Sequence, residues 1–133
     1  MKILIAEDDF TSRVLLQKML SPYGQCHIAE DGREALEAFR TALAQGSPFN
    51  LVCLDYLMPE MDGQEVLKEI RSAEEAQGIS IADRVKIIVT TGLMDEDNAF
   101  ASLHELCDAY LDKPVDRARL DEILKQFGVS GGR

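Results

Sequence analysis

The sequence predicts an α/β fold: a parallel five-stranded sheet, doubly wound with helices on both faces. Three observations carry this. Short aliphatic and β-branched runs occur at Lys2–Ala6, Leu51–Leu54, Lys86–Val89 and Ala109–Leu111, and such runs read as strands. The stretches between them repeat apolar residues at helical spacing. The first, third and fourth strands of the series are apolar nearly throughout, as strands covered on both faces must be.

Strand 1 is Lys2 to Ala6, followed by a helix from about Thr11 to Leu20 that Ser21-Pro22 and Gly24 stop. Strand 2 is about Gln25 to Ala29. The second helix starts near Gly32, buries Ala35, Leu36, Phe39 and Leu43, and is closed by Gly46-Ser47-Pro48. Strand 3 is Leu51 to Asp55, and Met58-Pro59 with Asp62-Gly63 makes the loop after it. The third helix carries Val66, Leu67 and Ile70 on one side. Ala73 to Arg84 reads as a helix extension and then a loop around Gly78, whose Ile79 and Ile81 are either exposed as a partner or dimer contact or packed, the packed loop being favoured. Strand 4 is about Val85 to Thr90. The fourth predicted helix is about Glu96 to Leu106 with Asp95 as its N-cap. Strand 5 is Ala109 to Leu111. The fifth predicted helix sets Leu120, Ile123, Leu124 and Phe127 on one stripe. Right-handed crossovers then favour the flavodoxin-like strand order 2-1-3-4-5. The expected domain spans residues 1–127, with 128–133 as a mobile tail.

Composition excludes several classes. The chain has 133 residues, 46% of them hydrophobic, enough for one packed core. Its 24 acids against 14 bases give a net charge of −10, and no basic stripe is present, so no nucleic-acid binding is expected. No run reaches membrane-spanning length, so no membrane insertion and a cytoplasmic location are expected. Cys26, Cys53 and Cys107 lack metal-ligand or disulfide spacing. His27 and His104 have no context that would make either a phosphate carrier.

Each of the four apolar runs is followed by polar residues: Glu7-Asp8-Asp9, Asp55, Thr90-Thr91 and Lys113-Pro114. In an open parallel sheet the chemistry collects at the carboxyl ends of the strands. Acids, a hydroxyl and a lysine therefore meet on one rim. Carboxylates about 4–5 Å apart at an effective dielectric near 20 repel by roughly 3–4 kcal/mol per pair. A hard cation such as magnesium, or manganese, offsets that repulsion. Asp9 reads equally well as a helix-dipole residue. Asp55, ending an apolar strand, suits a carboxylate nucleophile toward phosphorus, and Lys113 suits neutralisation of the charge on the transferring group. Adjacent strand residues face opposite ways, so one of Thr90 and Thr91 reaches the site.

Together these residues resemble the receiver domain of two-component response regulators, in a stand-alone, chemotaxis-regulator-like form. The likeness covers about Met1 to Phe127 and is strongest in Leu54-Asp55-Tyr56-Leu57-Met58-Pro59-Glu60-Met61-Asp62-Gly63 and in Lys113-Pro114. The resemblance implies that Asp55 accepts a phosphoryl group from a phosphohistidine of a sensor kinase or phosphotransfer protein. It implies that Asp8, Asp55, Glu7 through water and the Leu57 backbone carbonyl hold Mg2+, with Arg13 placing the acidic pair at Glu7 and Asp8. It also implies Lys113 as the catalytic lysine, Thr91 as the switch hydroxyl and Tyr110 as the switch aromatic. Such a protein catalyses its own phosphorylation and slow autodephosphorylation. It signals to a downstream protein through the face of the fourth helix, fifth strand and fifth helix, as a monomer or a phosphorylation-dependent dimer.

Two positions depart from the family pattern. Leu57 and Leu93 stand where residues that tune the lifetime of the phosphorylated state are found, and neither side chain orients a water. A long-lived phosphorylated form is the expectation. Three other readings are weaker. A haloacid-dehalogenase-type phosphatase needs an acid at position 57. A flavodoxin-type carrier needs a hydroxyl-rich phosphate loop where Glu7-Asp8-Asp9 stands. A degenerate receiver that only binds partners, without phosphorylation, would not need the intact set Asp8, Asp55, Thr91 and Lys113.

Overall fold

The computed structural model describes residues 1–58, 60–92 and 106–129. Its elements are β1(Lys2–Ala6), α1(Phe10–Leu20), β2(Gln25–Ala29), α2(Gly32–Ala44), β3(Leu51–Asp55), α3(Gly63–Ala76), a 3-10 turn at Ile81–Asp83, β4(Lys86–Thr91), β5(Ala109–Asp112) and α4(Arg117–Gln126). The five strands form one sheet in the order β2-β1-β3-β4-β5, every pair parallel. This is the expected doubly wound arrangement. The predicted helix from Glu96, its Asp95 cap, Leu93, His104 and Pro59 lie outside the described residues.

Strand alternation divides the core into two layers. Leu4, Ala6, Val52, Leu54, Ile87 and Val89 pack against Leu36 and Phe39 of α2 and Val66, Leu67 and Ile70 of α3. Ile3, Ile5, Leu51, Cys53, Ile88 and Leu111 pack against Leu16 and Leu20 of α1 and Leu120, Ile123 and Leu124 of α4. β1, β3 and β4 are central and buried on both faces. Their sequences therefore show runs rather than alternation.

Aspartates start all four described helices. Asp9, Asp31, Asp62 and Asp116 each accept a hydrogen bond from the backbone N–H three residues on, satisfying amides that the first helical turn leaves unpaired. Some of the acidic excess is thus capping chemistry. Asp9 is one of these caps, which moves the start of α1 to Phe10, one residue earlier than expected.

The segment from 73 to 84 follows the helix extension and the loop around Gly78 that the sequence suggests. α3 runs on to Ala76, and Gly78 at φ +72° closes it, its N–H bonding the Glu75 carbonyl while the Ile79 N–H bonds that of Glu74. That left-handed closure favours glycine. Ile79 is half-buried, but Ile81 is 83% exposed, so the loop packs less than expected. Glu74, only 2% exposed, explains much of the path. Its carboxylate accepts the Val85 N–H at 2.7 Å and pairs with Arg71 at 2.8 Å. Arg71 also donates to the carbonyls of Val85 and Leu106 and pairs with Asp108. Because Glu74 takes the Val85 amide, the β4 ladder begins at Lys86 and extends to Thr91, one residue later than predicted at each end. Leu43 is only half-buried, and Ala42 takes the place expected for it in the core.

Candidate functional site

β3 carries Asp55 to the carboxyl rim at the centre of the sheet. By parity it shares the face of Leu51 and Cys53, the face covered by α1 and α4. Glu7, just past β1, has the parity of Ile3 and Ile5 and lies on the same side. Both acids are buried, Glu7 completely and Asp55 to 4% exposure, while Asp8 is exposed. One carboxylate oxygen from each of Glu7, Asp8 and Asp55 falls within 4.8 Å of the others.

Two local features hold this rim in shape. Gly63 donates its N–H to the Tyr56 carbonyl at 2.8 Å, folding the loop after β3 back on itself. A Cβ at Gly63 would lie 2.7 Å from Tyr56 Cα and 2.8 Å from the Asp55 carbonyl oxygen, so a side chain there would displace the backbone of the acid. On the other side, Arg13 Nη1 donates to the carbonyl of Glu7 at 3.1 Å and reaches that of Asp8 at 3.4 Å. This ties α1 to the acidic turn.

Lys113, one residue beyond β5, supplies the positive charge. Its Nζ is 2.8 Å from Glu7 Oε1 and 3.3 Å from Asp55 Oδ2. The contact with Glu7 is an ion pair lying off the line of a well-directed hydrogen bond. The Lys113 N–H donates to the Thr91 carbonyl at 2.8 Å, and the Lys113–Pro114 bond is cis. Burial opposes the ammonium charge, but the bond to Glu7 and the charge of Asp55 outweigh it, so Lys113 is held above its ordinary pKa. Asp55 moves the other way from a free carboxyl. Burial first and the Glu7 charge second push it up to about 7, against the pull of Lys113. Asp9 is held below its ordinary value by the Ser12 N–H. Its cap role separates it from the three-acid cluster.

The two threonines divide as alternation requires. Thr90 is the register partner of Asp55 and has the parity of Ile88, which faces α1 and α4. Thr91 has the parity of Val89, on the opposite face, and Tyr110 packs into that same layer as the register partner of Val89. Both threonines are buried. Thr91 and Tyr110 thus lie on one face of the sheet, and Thr90 sits beside Asp55 on the other. The Leu57 side chain is 55% exposed, two residues past Asp55. Burial pushes the Cys53 thiol up to about 12 and the Cys107 thiol up to about 11, which leaves no reactive thiolate at either. His27 is on the edge strand with its ring edge-on to Phe49, centroids 5.3 Å apart.

Two features were not anticipated. Glu7 is the shortest-range partner of Lys113, and a pocket of about 40 Å³ lies beside that pair, walled by Leu15, Leu16 and Met19 of α1 and by Pro114 and Val115. Only the helical spacing of Leu15, Leu16 and Met19 hints at the pocket in the sequence, and nothing there hints at the pair.

Comparison with known proteins agrees with this fold. The family model of the response regulator receiver domain matches residues 3–125. The chain is 29% identical over 132 residues to the two-component response regulator ORR41 of Oryza sativa subsp. japonica, covering 97% of this chain and 95% of that protein. It is 30% identical over 132 residues to the hybrid signal transduction histidine kinase L of Dictyostelium discoideum, covering 98% of this chain and 7% of that one. The chain spans between 7% and 13% of the length of the histidine kinases it matches. Among solved structures, the receiver domain of sensor histidine kinase PA1611 from Pseudomonas aeruginosa PAO1 superposes with a TM-score of 0.76 at 26% identity, covering 94% of each chain. That structure has a magnesium ion coordinated in its active-site cleft. A CheY-like receiver domain protein of Methanospirillum hungatei JF-1 superposes with a TM-score of 0.74 at 28% identity, covering 95% of this chain and 91% of that one.

Proposed function

The chain belongs to the response regulator receiver domain family, and from that premise we propose that it accepts a phosphoryl group from a phosphohistidine onto Asp55. The single observation that carries this reading is the placement of Asp55. It is a buried strand-end carboxylate, 3.3 Å from the Lys113 ammonium, inside a cluster with Glu7 and Asp8.

The donor set suits magnesium. Three carboxylate oxygens within 4.8 Å, two of them on buried side chains, are a hard-oxygen site with more negative charge than one lysine neutralises. Asp8 and Asp55 would bind the ion directly, Glu7 through water, and the Leu57 carbonyl would complete the protein's share. When bound, Mg2+ supplies Lewis-acid stabilisation of the charge on the phosphoryl oxygens.

The chain's own residues do the rest. A carboxylate oxygen of Asp55 attacks phosphorus, the new O–P bond forms as the donor's P–N bond breaks, and the imidazole leaves with that electron pair. Lys113 faces the same oxygens and neutralises charge that develops on them. Glu7 holds the ammonium in place by its 2.8 Å pair. Thr91, the last residue of β4, then turns its hydroxyl over the rim toward the phosphoryl oxygens, and Tyr110, in the same layer, follows into the space it leaves. The β5 and α4 face shifts between two arrangements, one of which the target protein prefers. A tenfold change in target affinity needs only about 1.4 kcal/mol of differential binding. The phosphodonor is a histidine kinase or histidine phosphotransfer protein, and the working location is the cytoplasm.

Phosphoramidate, the simplest donor with a P–N bond, tests this by 31P NMR. An acyl phosphate resonance that needs magnesium, disappears on chelation and is absent in Asp55→Asn is the expected result. A signal that persists in Asp55→Asn would contradict the assignment.

A further inference from the structure

Thr90 is completely buried, and its Oγ1 has no hydrogen-bond partner among the described residues. A buried hydroxyl left unpaired is destabilising. Strand propensity explains a β-branched residue here, but valine would satisfy that preference without the penalty. The position of the hydroxyl is informative. Thr90 is the register partner of Asp55 in the β3–β4 ladder, and the two side chains lie on one face of the sheet. Neighbouring strands are roughly 5 Å apart, so the two side chains stand side by side. The backbone around Thr90 is already engaged, since its carbonyl accepts the Tyr56 N–H at 2.8 Å. The Lys113 ammonium lies toward Glu7 and Asp55 and, being a donor only, offers the hydroxyl no acceptor for its proton.

We propose that Thr90 is a second hydroxyl of the phosphorylation site, a positioning residue whose O–H donates to the acyl phosphate formed on Asp55. The inference rests on the reading of Asp55 as phosphoacceptor. In the unmodified protein the donor waits unpaired beside the carboxylate. Phosphorylation adds oxygen acceptors on that side chain, and the O–H gains a partner that the resting state lacks. Thr90 keeps its proton throughout: the bond that forms is Asp55 O–P, and the bond that breaks is the one joining phosphorus to the donor's leaving group. The role is separate from that of Thr91, which lies on the opposite face with Tyr110.

Three variants test it with two readouts, the melting temperature without phosphodonor and the fraction phosphorylated at fixed acetyl phosphate and magnesium. Thr90→Val removes the unpaired hydroxyl and keeps the shape. Its unphosphorylated melting temperature is expected to stay level or rise, while the ratio of phosphorylated to unphosphorylated protein falls about threefold to tenfold, the worth of one hydrogen bond. Thr90→Ser keeps the hydroxyl and is expected to melt lower yet phosphorylate like the wild type. If Thr90→Val does not fold, Thr90→Ala compared with Thr90→Ser isolates the hydroxyl in the same way. A Thr90→Val protein that phosphorylates like the wild type would overturn the proposal while leaving Asp55 as phosphoacceptor. A wild type that gains no phosphoryl group at all would overturn both.

Discussion

Lys113 Nζ sits 2.8 Å from Glu7 Oε1, closer than its 3.3 Å to Asp55 Oδ2. Glu7 has no exposure, so removal of the ammonium leaves a buried carboxylate uncompensated, whereas Lys113 keeps 23% of its side chain exposed and has Asp55 as a second partner. The same ammonium that serves phosphoryl transfer thus offsets part of the charge of the acidic cluster while no cation is bound. Lys113→Met should then have two opposed effects. Magnesium affinity should rise about tenfold, since one unit of competing positive charge is gone. The phosphorylation rate should fall by about a hundredfold, since the charge on the moving group loses a partner. Magnesium titration and a phosphorylation time course on one sample separate the two.

Asp55 gives a pH signature. Its carboxyl is pushed from 3.8 up to about 7 by burial first and by the Glu7 charge second. Between these values the folded protein holds a proton that the unfolded chain has released. Stability from this group is therefore complete below about pH 4 and is lost as pH rises toward about 7. In magnesium-free buffer the melting temperature of the wild type, measured relative to Asp55→Asn, should fall across that window. Magnesium binds the ionised form, so it should raise the melting temperature more at about pH 8 than at about pH 5.5. Equal shifts at both would contradict the elevated carboxyl.

Gly63 is held against the end of β3, where a methyl group would lie 2.8 Å from the Asp55 carbonyl. Gly63→Ala should cost about 1–3 kcal/mol through overpacking, and should cost phosphorylation too, because the displaced backbone is that of the nucleophile. Denaturant melts and phosphoryl level, read together, check it. A variant that folds less stably but phosphorylates normally would show that the loop, not Asp55, absorbs the shift.

Leu57 exposes 55% of its surface two residues past Asp55, with no polar atom in its side chain. A water attacking the acyl phosphate gains no orientation from it. The phosphorylated protein should decay slowly, and Leu57→Asn should shorten its lifetime severalfold by offering an amide to that water. Decay followed after removal of the phosphodonor measures both.

Most of the frame was legible from the chain. β1, β3 and β4 are buried on both sides, and that burial leaves an unmistakable aliphatic run. Polar residues just after each run then had only one rim on which to meet. Legibility failed where charge is buried. Nothing in the sequence marks Arg71 and Glu74 as buried, yet Glu74 takes the Val85 amide and so sets where β4 begins. For Ile81 the sequence leaves a packed loop and an exposed contact both open, with packing favoured, and the 3-10 turn at Ile81–Asp83 carries it outward. Alternation predicts that Thr90 and Thr91 part company, but only the strand register tells which of them lies beside Asp55. The pairing of Glu7 with Lys113 is likewise a contact across 106 positions of chain that no local pattern records.

The most direct measurement is intact mass over time after mixing the protein with acetyl phosphate and magnesium, with Asp55→Asn alongside. A gain of one phosphoryl group that needs magnesium and is absent from Asp55→Asn is the expected result. No gain in the wild type with magnesium bound, or an equal gain in the variant, would contradict Asp55 as the phosphoacceptor.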